Sequence, residues 1–301
     1  SNASSILKTE IRSNGNPLKA ALMMVAASSL IGMTTILAKI LGQELEGESL
    51  HPLQVSAGRF FFALMTLFVF SRFRRFKFQS PHYAIHFGRS LLGWAGVTLM
   101  FASVTFIPVS DAISITFLNP VIAMFLAIPF LKERISRMRW MAALISFTGA
   151  LILLRPGLDS FQWASFLAFG AAFCFGFENI LIKKLSFNES PFQILTINNT
   201  FGCILSLTAA AFVWNAPTPR QWAELAALGV IMVSAQSLFI QSMRSGDASY
   251  ALPFSYMTLV FAAAYDYFIF STQPDGISVI GALTIISGAI LLGTREIFQK
   301  K

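Results

Sequence analysis

Long apolar runs alternate with short polar connections along almost the whole chain. Ten such runs can be counted, each close to the roughly 20 residues that an α-helix needs to cross the hydrocarbon of a bilayer. The runs lack the period-two alternation of the strands in an outer-membrane barrel. The predicted spans 1 to 10 cover residues 18–40, 53–71, 86–107, 110–131, 139–155, 162–183, 192–213, 221–243, 248–270 and 276–294.

The composition supports a polytopic membrane protein and excludes an ordinary soluble domain. Apolar residues make up 55% of the chain and charged residues only 12%, about half the usual charged share of a soluble protein. We therefore expect an all-α fold with ten transmembrane helices. Cys174 and Cys203 both lie in apolar runs, so they indicate neither a disulfide framework nor a zinc site.

The positions of the cations predict the orientation of the spans. With the N-terminus inside, 18 Lys and Arg residues fall on the inner side and three on the outer side, as the positive-inside rule requires. The net charge of +8 therefore reflects the inner loops and does not indicate nucleic-acid binding. The acidic residues Glu44, Glu46 and Glu48 fall outside. Residues 1–17 and 295–301 are predicted cytoplasmic tails, and residues 1–3 are typical of a tag remnant.

A weak internal repeat divides the chain into residues 18–155 and 162–294. Identities recur in the same order, among them Lys39 with Lys183 and Asp111 with Asp247. Each half holds five spans, and because five is odd the second half must be inverted. Equivalent loops also have opposite charge character, since residues 132–137 are basic and residues 271–275 contain no cation. Inverted repeats allow a chain to open to either side in turn, so this pattern predicts a transporter.

Four short segments in spans 4 and 9 and in the loop after span 4 form a recognisable pattern. They are Asp111-Ala112-Ile113, Asn119-Pro120-Val121, Lys132-Glu133-Arg134-Ile135-Ser136 and Pro253-Phe254-Ser255-Tyr256. With these segments the chain resembles the drug/metabolite transporter superfamily, of the EamA type. The resemblance covers residues 18–294 and implies two inverted five-helix repeats in a bacterial inner membrane. It also implies a central cavity lined by spans 1, 3, 4, 6, 8 and 9, with spans 5 and 10 peripheral. Gln273 departs from the pattern, because such proteins usually place a loop Glu there.

Charged residues inside the spans are the first candidates for a substrate or coupling site. A charge at the centre of a membrane helix costs roughly 2.5–3.5 kcal/mol on insertion scales, so its presence indicates a functional or structural role. Glu178 and Arg89 lie at comparable depth near the inner side, and Arg59 and Asp266 lie at similar depth near the outer side, where they could pair. The alternative is that the arginines snorkel and the carboxylates form structural bonds.

Amide, proline and aromatic residues in the spans, and two aspartates at the starts of spans, form a second group of candidates. Amide side chains must find partners in lipid, so they face the interior as ligand contacts or as helix-to-helix hydrogen bonds. Asp111 and Asp247 are expected to cap their helices, and Pro120 and Pro253 to interrupt spans 4 and 9 as static kinks or as hinges. The further candidates are Asn119, Asn179, Asn198, Asn199, Gln236, Gln241, Trp94 and Tyr256, with Tyr265 and Tyr267 expected as interface anchors.

The small residues Ala142, Ser146 and Ala150 form a stripe on span 5. Such a stripe allows two helices to approach closely. It therefore indicates either packing within the chain or the face of a homodimer.

Sequence motifs for enzymes and cofactors are absent. There is no His-Glu-x-x-His, no P-loop and no dinucleotide glycine motif, and the three histidines lie at loops or span edges. Neither a cofactor nor a metal is expected, and transport would be driven by a gradient or be passive.

The leading hypothesis is a secondary transporter of a small organic metabolite, an amino acid or related compound. The resemblance favours export, and Glu178 is the candidate for proton coupling. Uptake of a vitamin or nucleotide-like compound is the main alternative. A membrane-embedded lipid-modifying enzyme and a non-transporting subunit are the remaining ones.

Overall fold

The computed structural model describes residues 15–42, 48–104, 106–107, 109–157 and 163–299. Within these ranges the secondary structure is entirely helical, which confirms the all-α prediction. The predicted tag remnant, most of the N-terminal tail, Glu44, Glu46 and the last two residues lie outside the described residues.

In the described part of the chain, ten helices follow the ten predicted spans. Eight of them are continuous: α1 Pro17–Leu41, α2 Pro52–Phe73, α3 Tyr83–Val104, α5 Arg137–Leu154, α6 Ser165–Ser186, α7 Pro191–Ala210, α8 Pro219–Ser245 and α10 Gly276–Gln299. Two are interrupted. Helix α4 consists of α4a Val109–Thr116 and α4b Asn119–Leu131, and α9 consists of α9a Ala248–Ala251, a 3-10 turn Leu252–Tyr256 and α9b Met257–Phe270.

Seven helices are long and apolar enough by themselves to cross a membrane, namely α1, α2, α4, α5, α6, α8 and α10. The other three carry polar residues or an interruption. Helix α3 contains His86 and Arg89, α7 contains Asn198 and Asn199, and α9 is broken around Pro253. Such helices are accommodated in a bilayer when their neighbours supply the missing partners, as in a multi-pass membrane protein.

The helix starts follow local sequence signals. Four helices begin with a proline in the first turn, directly after a residue whose side chain accepts a backbone N–H. Proline fits there because the first N–H groups of a helix have no partner within the helix. The capping side chains are those of Asn16, His51, Ser190 and Thr218.

Both interrupted helices break at the predicted prolines, so the position of the interruptions is confirmed. Pro120 has no N–H to donate to the carbonyl of Thr116, and the Asn119 side chain donates to that carbonyl instead, at 2.9 Å. Pro253 lies in the 3-10 turn of α9. Tyr256, at the end of this turn, donates from its hydroxyl to the carbonyl of Phe117 in the gap of α4, at 2.6 Å. The two gaps are thus joined inside the protein.

The helix contacts of one half of the chain recur between the equivalent helices of the other half, so that α1 corresponds to α6, α2 to α7, α3 to α8, α4 to α9 and α5 to α10. Helix α1 packs against α8 and α9b, and correspondingly α6 packs against α3 and α4b. Helix α2 packs against α8 as α7 does against α3, while α2 with α7 and α5 with α10 form two further pairs. The ends of the described chain lie on one face, because Tyr250 bonds to Pro17 while Arg139 bonds to Asp247 and Glu296. We call this face the inner side.

Helices α5 and α10 pack together through small residues. A Cβ added to Gly149 would lie 2.7 Å from the Ile285 side chain, and one added to Gly288 would lie 2.5 Å from Ser146 Oγ. The predicted stripe Ala142, Ser146 and Ala150 is buried in this contact within the chain. Of its two interpretations, internal packing is therefore the one observed.

Candidate functional site

Helices α2, α3 and α6 bring three charged side chains together in the interior. Arg89 Nε on α3 lies 3.8 Å from Glu178 Oε1 on α6, consistent with their comparable depth. The Glu178 carboxylate also interacts electrostatically with Arg59 on α2. Gly93 allows this approach, because a Cβ at that position would lie 3.0 Å from Glu178 Oε1.

This charged cluster, Arg59, Arg89 and Glu178, has hydrogen-bonding capacity to spare. The side chain of Arg89 is only 4% exposed and that of Glu178 is 20% exposed. Arg89 Nε and Nη1 and Arg59 Nε are buried and make no hydrogen bond to the described residues. A separation of 3.8 Å is too long for a hydrogen bond, and buried donors without partners are costly. Two guanidiniums facing one carboxylate can therefore accept a further anionic group.

Asp266 does not join this cluster, so its expected pairing with Arg59 is wrong. Asp266 Oδ1 instead pairs with Lys39 Nζ at 3.1 Å, and both side chains are substantially exposed. The depth of a residue along a span says how far it lies from the membrane surface, but not which helix faces it. Helix α9b packs against α1, where Lys39 lies. The cluster also includes Arg59 on α2, whereas span 2 is not among the spans that the resemblance implies for the cavity.

The expected capping by Asp111 and Asp247 is also wrong. Asp247 makes no cap hydrogen bond and pairs with Arg139 at 2.9 Å. The N–H groups of Ala248 and Ser249 are already bound by Glu133, at 2.7 and 2.9 Å.

Asp111 lies within the first turn of α4a instead of before it. Its Oδ1 accepts a hydrogen bond from the N–H of Gly157 at 2.9 Å. In both repeats the carboxylate therefore serves a contact with a distant part of the chain.

One of the two aromatic candidates for a cavity lining is used within the protein. Tyr256 is fully buried, and its hydroxyl donates to the carbonyl of Phe117. Trp94 is 51% exposed, and its place in a cavity lining stays a prediction. Of the two expected anchors, Tyr267 is exposed, whereas the Tyr265 hydroxyl donates to the carbonyl of Ser29 at 3.1 Å.

The amide candidates mainly connect helices. The Asn179 side chain donates to Asn119 at 3.4 Å, between α6 and the gap of α4. Similar bonds of 3.4 Å join Asn199 to Gln236 and Ser90 to Asn198. Gln241 bonds within α8 to Ser237. These contacts match the interpretation as helix-to-helix hydrogen bonds.

The inner ends of α6 and α8 are held together by a buried lysine that the sequence analysis did not select. Lys183 Nζ donates to the carbonyl of Met243 and, at 2.6 Å, to that of Gly246. Its repeat equivalent Lys39 lies at the outer end of α1, with an exposed side chain paired to Asp266. The recurrence of lysine in both repeats was the signal that could have identified this contact.

The inner side is closed around these contacts. The central cavity at this face, lined by Glu133, Arg139, Lys183 and Asp247 among others, has a volume of about 120 Å³. Ligand pockets usually measure about 300–1,000 Å³. Arg139 adds to the closure by binding Glu296 at 2.6 Å in addition to Asp247. A metabolite therefore has no room in this central cavity.

A pair of glutamine contacts is formed at both sides at once. Gln193 at the start of α7 exchanges two hydrogen bonds with the backbone of Gln79. Gln54 at the start of α2 exchanges two with the backbone of Asn215. On the inner side Glu189 also accepts from Gln193 and lies 2.8 Å from His86 Nε2. Because equivalent glutamine contacts exist at both sides, they do not show which side of the protein is closed.

Comparison with protein families and with characterised transporters gives consistent matches. The EamA-like transporter family matches residues 18–155 and 162–294. The S-adenosylmethionine uptake transporter of Rickettsia bellii is 30% identical over 260 residues, which are 85% of this chain and 89% of that protein.

Two further relatives carry different names. The riboflavin transporter of Vibrio cholerae is 28% identical, over 70% of this chain and 72% of its own. The pseudopaline exporter of Pseudomonas aeruginosa is 25% identical, over 69% of this chain and 74% of its own. A crystal structure that is 16% identical matches 92% of this chain and 98% of its own with a TM-score of 0.77, which shows a shared fold.

Proposed function

This chain belongs to the EamA-like transporter family, and on that premise we propose that it imports a metabolite with an α-amino-acid group. S-Adenosylmethionine is the compound of this class that a relative's name suggests. The resemblance alone favours export. Uptake is named for the Rickettsia relative and export for the Pseudomonas relative, and the open side described below supports uptake.

The charged cluster carries this proposal. An α-amino acid presents one carboxylate and one ammonium group. The carboxylate would bind the free donors of Arg59 and Arg89, and the ammonium would bind Glu178. Charge-assisted hydrogen bonds of this kind are about twice as strong as neutral ones, and both substrate groups would find a partner that the empty cluster lacks. Riboflavin has neither group.

Alternating access is supported by an asymmetry between the two sides. At the inner side α6 packs against α8, and α4b against α9a. The repeat-equivalent pairs at the outer side would be α1 with α3, and α9b with α4a. Among the described residues neither of these outer pairs packs closely. We infer that the chain is closed inside and open outside, which is the state in which an importer accepts its substrate.

The proposed two-fold relation between residues 18–155 and 162–294 explains why this asymmetry can be reversed. Equivalent helices make equivalent contacts, so the inverted arrangement has nearly the same energy. The inner side is then the cytoplasmic face of the inner membrane, because the cations lie there. A C-terminal fusion to a fluorescent protein that folds only in the cytoplasm is expected to fluoresce, and the same fusion to a periplasmic phosphatase is expected to be inactive.

Transport in proteoliposomes tests the substrate class. We expect saturable uptake of labelled S-adenosylmethionine that unlabelled S-adenosylmethionine competes with and riboflavin does not. Arg89→Gln is expected to raise the half-saturating substrate concentration at least tenfold, because the substrate carboxylate loses one of its two buried cationic partners. Arg89→Lys should recover only part of the loss, because an ammonium cannot replace the guanidinium fork.

The matched control is Arg220→Gln, which removes a guanidinium from the exposed pair with Glu224. Its transport should equal that of the wild type. Uptake of riboflavin but not of any compound with an amino-acid group would overturn the proposed substrate class. Outward transport only, in liposomes of known orientation, would overturn the proposed direction.

A further inference from the structure

An apolar groove runs along the inner half of the molecule between α2, α7 and α8. Its volume is about 610 Å³, and its wall is largely apolar, with Phe70, Phe192 and Leu195 among the lining residues. Phe76 and Phe192 stack at 3.8 Å between ring centroids and support one end. The groove is built from helices of both repeats.

The length of the groove fits one leaflet of a bilayer. Along α8 it reaches from Gln241, near the inner end, to Val233, and Arg244 lies just beyond the inner end. Val233 and Arg244 are eleven residues apart, about 16 Å along a helix axis. Half of the hydrocarbon thickness is about 15 Å. The groove and the space beside Arg244 together therefore match the depth of one leaflet.

Cations surround the inner end of the groove. Arg74 lies on its rim. An adjoining pocket of about 450 Å³, which shares Pro191 and Gln241 with the groove, is lined by Lys19 and Arg244. Among the described lining residues of both spaces there is no carboxylate.

We propose that this groove and the adjoining pocket bind an anionic glycerophospholipid of the inner leaflet. One acyl chain lies in the groove, and the phosphate lies between Arg74, Lys19 and Arg244. A zwitterionic headgroup would bring its own cation next to these three, so a headgroup without a positive charge is favoured. Because the groove joins α2 of the first repeat to α7 and α8 of the second, the bound lipid stabilises their packing.

Native mass spectrometry of the purified full-length protein tests the proposal. The probes are phosphatidylglycerol and phosphatidylcholine with identical acyl chains. We expect retention of one phosphatidylglycerol with at least tenfold preference, together with a rise in thermal stability that phosphatidylcholine does not give. Equal retention of both lipids would overturn the proposal.

Two sets of variants locate the site. Lys19→Gln with Arg74→Gln and Arg244→Gln should abolish the preference, whereas Lys132→Gln with Arg137→Gln and Arg295→Gln removes as many cations elsewhere and should retain it. Ser234→Trp, at an exposed position that lines the groove, fills the groove and should release the lipid, while Ile204→Trp on the exposed face of α7 should not.

Three results would refute this location. One is unchanged binding in Ser234→Trp with the protein still folded. Another is a dimer that only Ser234→Trp dissociates, which would make a second copy of the chain the occupant. The third is equal affinity for glycerol phosphate, which has no acyl chain.

Discussion

At the scale of single residues, the charges within the helices of this protein are used in two different ways. Lys39 contacts Asp266 directly, and Arg139 contacts both Asp247 and Glu296 directly. Arg59, Arg89 and Glu178 are not matched: two guanidiniums face one carboxylate at a distance. An unmatched buried charge is expensive, and this is the feature that a substrate anion would relieve.

The first prediction concerns Glu178, which either carries a proton or binds the substrate ammonium. If it carries the proton, Glu178→Gln should abolish the pH dependence of transport and leave counterflow exchange intact. If it binds the ammonium, the same variant should abolish substrate binding at every pH. Proteoliposome uptake and counterflow separate the two roles. Glu224→Gln, which removes a carboxylate outside the charged cluster, is the control. Normal gradient-driven transport in Glu178→Gln would exclude both roles and leave Asp266 as the next candidate.

The second prediction concerns the exposed outer pair Arg155 and Asp275. Arg155 holds the pKa of the Asp275 carboxyl well below its ordinary value of 3.8. The pair therefore stabilises the fold above that value, and the contribution is lost as the pH falls through the lowered pKa. Asp275→Asn should lower the thermal midpoint slightly at neutral pH, since exposed pairs contribute little, and the difference should shrink in acid. In an Arg155→Gln background Asp275→Asn should have a smaller effect, because only the bonds from Ser278 to Asp275 remain there. An effect of the same size in both backgrounds would contradict the assignment.

At the scale of elements, the two broken helices are the most informative part of the fold. Carbonyls without partners are not tolerated in a dry interior, and the gap of α4 leaves two of them outside the helix ladder. The side chain of Asn119 donates to the carbonyl of Thr116, and the hydroxyl of Tyr256 from α9 donates to that of Phe117. The gap in α4 is thus coupled to the gap in α9 by one hydroxyl. Whether the prolines act as hinges remains a prediction.

The third prediction follows from this hydroxyl. Tyr256→Phe removes the bond to Phe117 and leaves a buried carbonyl unpaired, which costs about 1–3 kcal/mol. Unfolding in mixed micelles is expected to require correspondingly less denaturant. Tyr267→Phe alters an exposed tyrosine and should leave stability unchanged. Equal stability of Tyr256→Phe and wild type would show that the two gaps are not coupled in this way.

The fourth prediction concerns the contact between α5 and α10. Gly149→Ala would place a Cβ 2.8 Å from the backbone nitrogen of Ile285 and 2.9 Å from the carbonyl of Gly281. Because backbone atoms cannot rotate away, the helices must separate, at a cost of about 1–3 kcal/mol. The fraction of monodisperse protein after heating should fall. Gly276→Ala, which meets nothing within 4 Å, is the control that should behave as wild type.

At the scale of the whole molecule, the repeat-equivalent lysines Lys39 and Lys183 indicate how the two sides would alternate under the proposed mechanism. Lys183 holds α6 to α8 at the closed inner side, whereas Lys39 at the open outer side is engaged with Asp266. In the inverted state the two should exchange roles, so that Lys39 reaches the end of α3.

The fifth prediction tests this exchange. Lys183→Met should populate the inward-open state, because the freed ends of α6 and α8 can separate. Spin labels at Asn188 and Arg244, in a background without Cys174 and Cys203, should report a longer distance. Lys39→Met should not lengthen it. A distance distribution unaffected by Lys183→Met would mean that this lysine does not hold the inner side closed.

The sequence alone was sufficient for the architecture. Segment length and hydropathy gave all ten spans, and prolines gave both interruptions, because a bilayer imposes one length and one hydrogen-bonding rule on every helix. The composition excluded a soluble fold, because 12% charged residues are about half the usual share of a soluble protein. The comparable depth of Arg89 and Glu178 could also be predicted, but their closeness could not, because depth does not show which helices are neighbours.

Only the tertiary structure decided which residues share a site. Periodicity gives the position of a side chain along its own helix, whereas a pair also depends on which helices are neighbours. For that reason Asp266 was assigned to Arg59 and is bound by Lys39, and Tyr256 was assigned to the cavity and is buried in a joint. Lys183 and Glu133 were missed because their partners are backbone groups far along the chain, and a backbone group leaves no mark in a sequence.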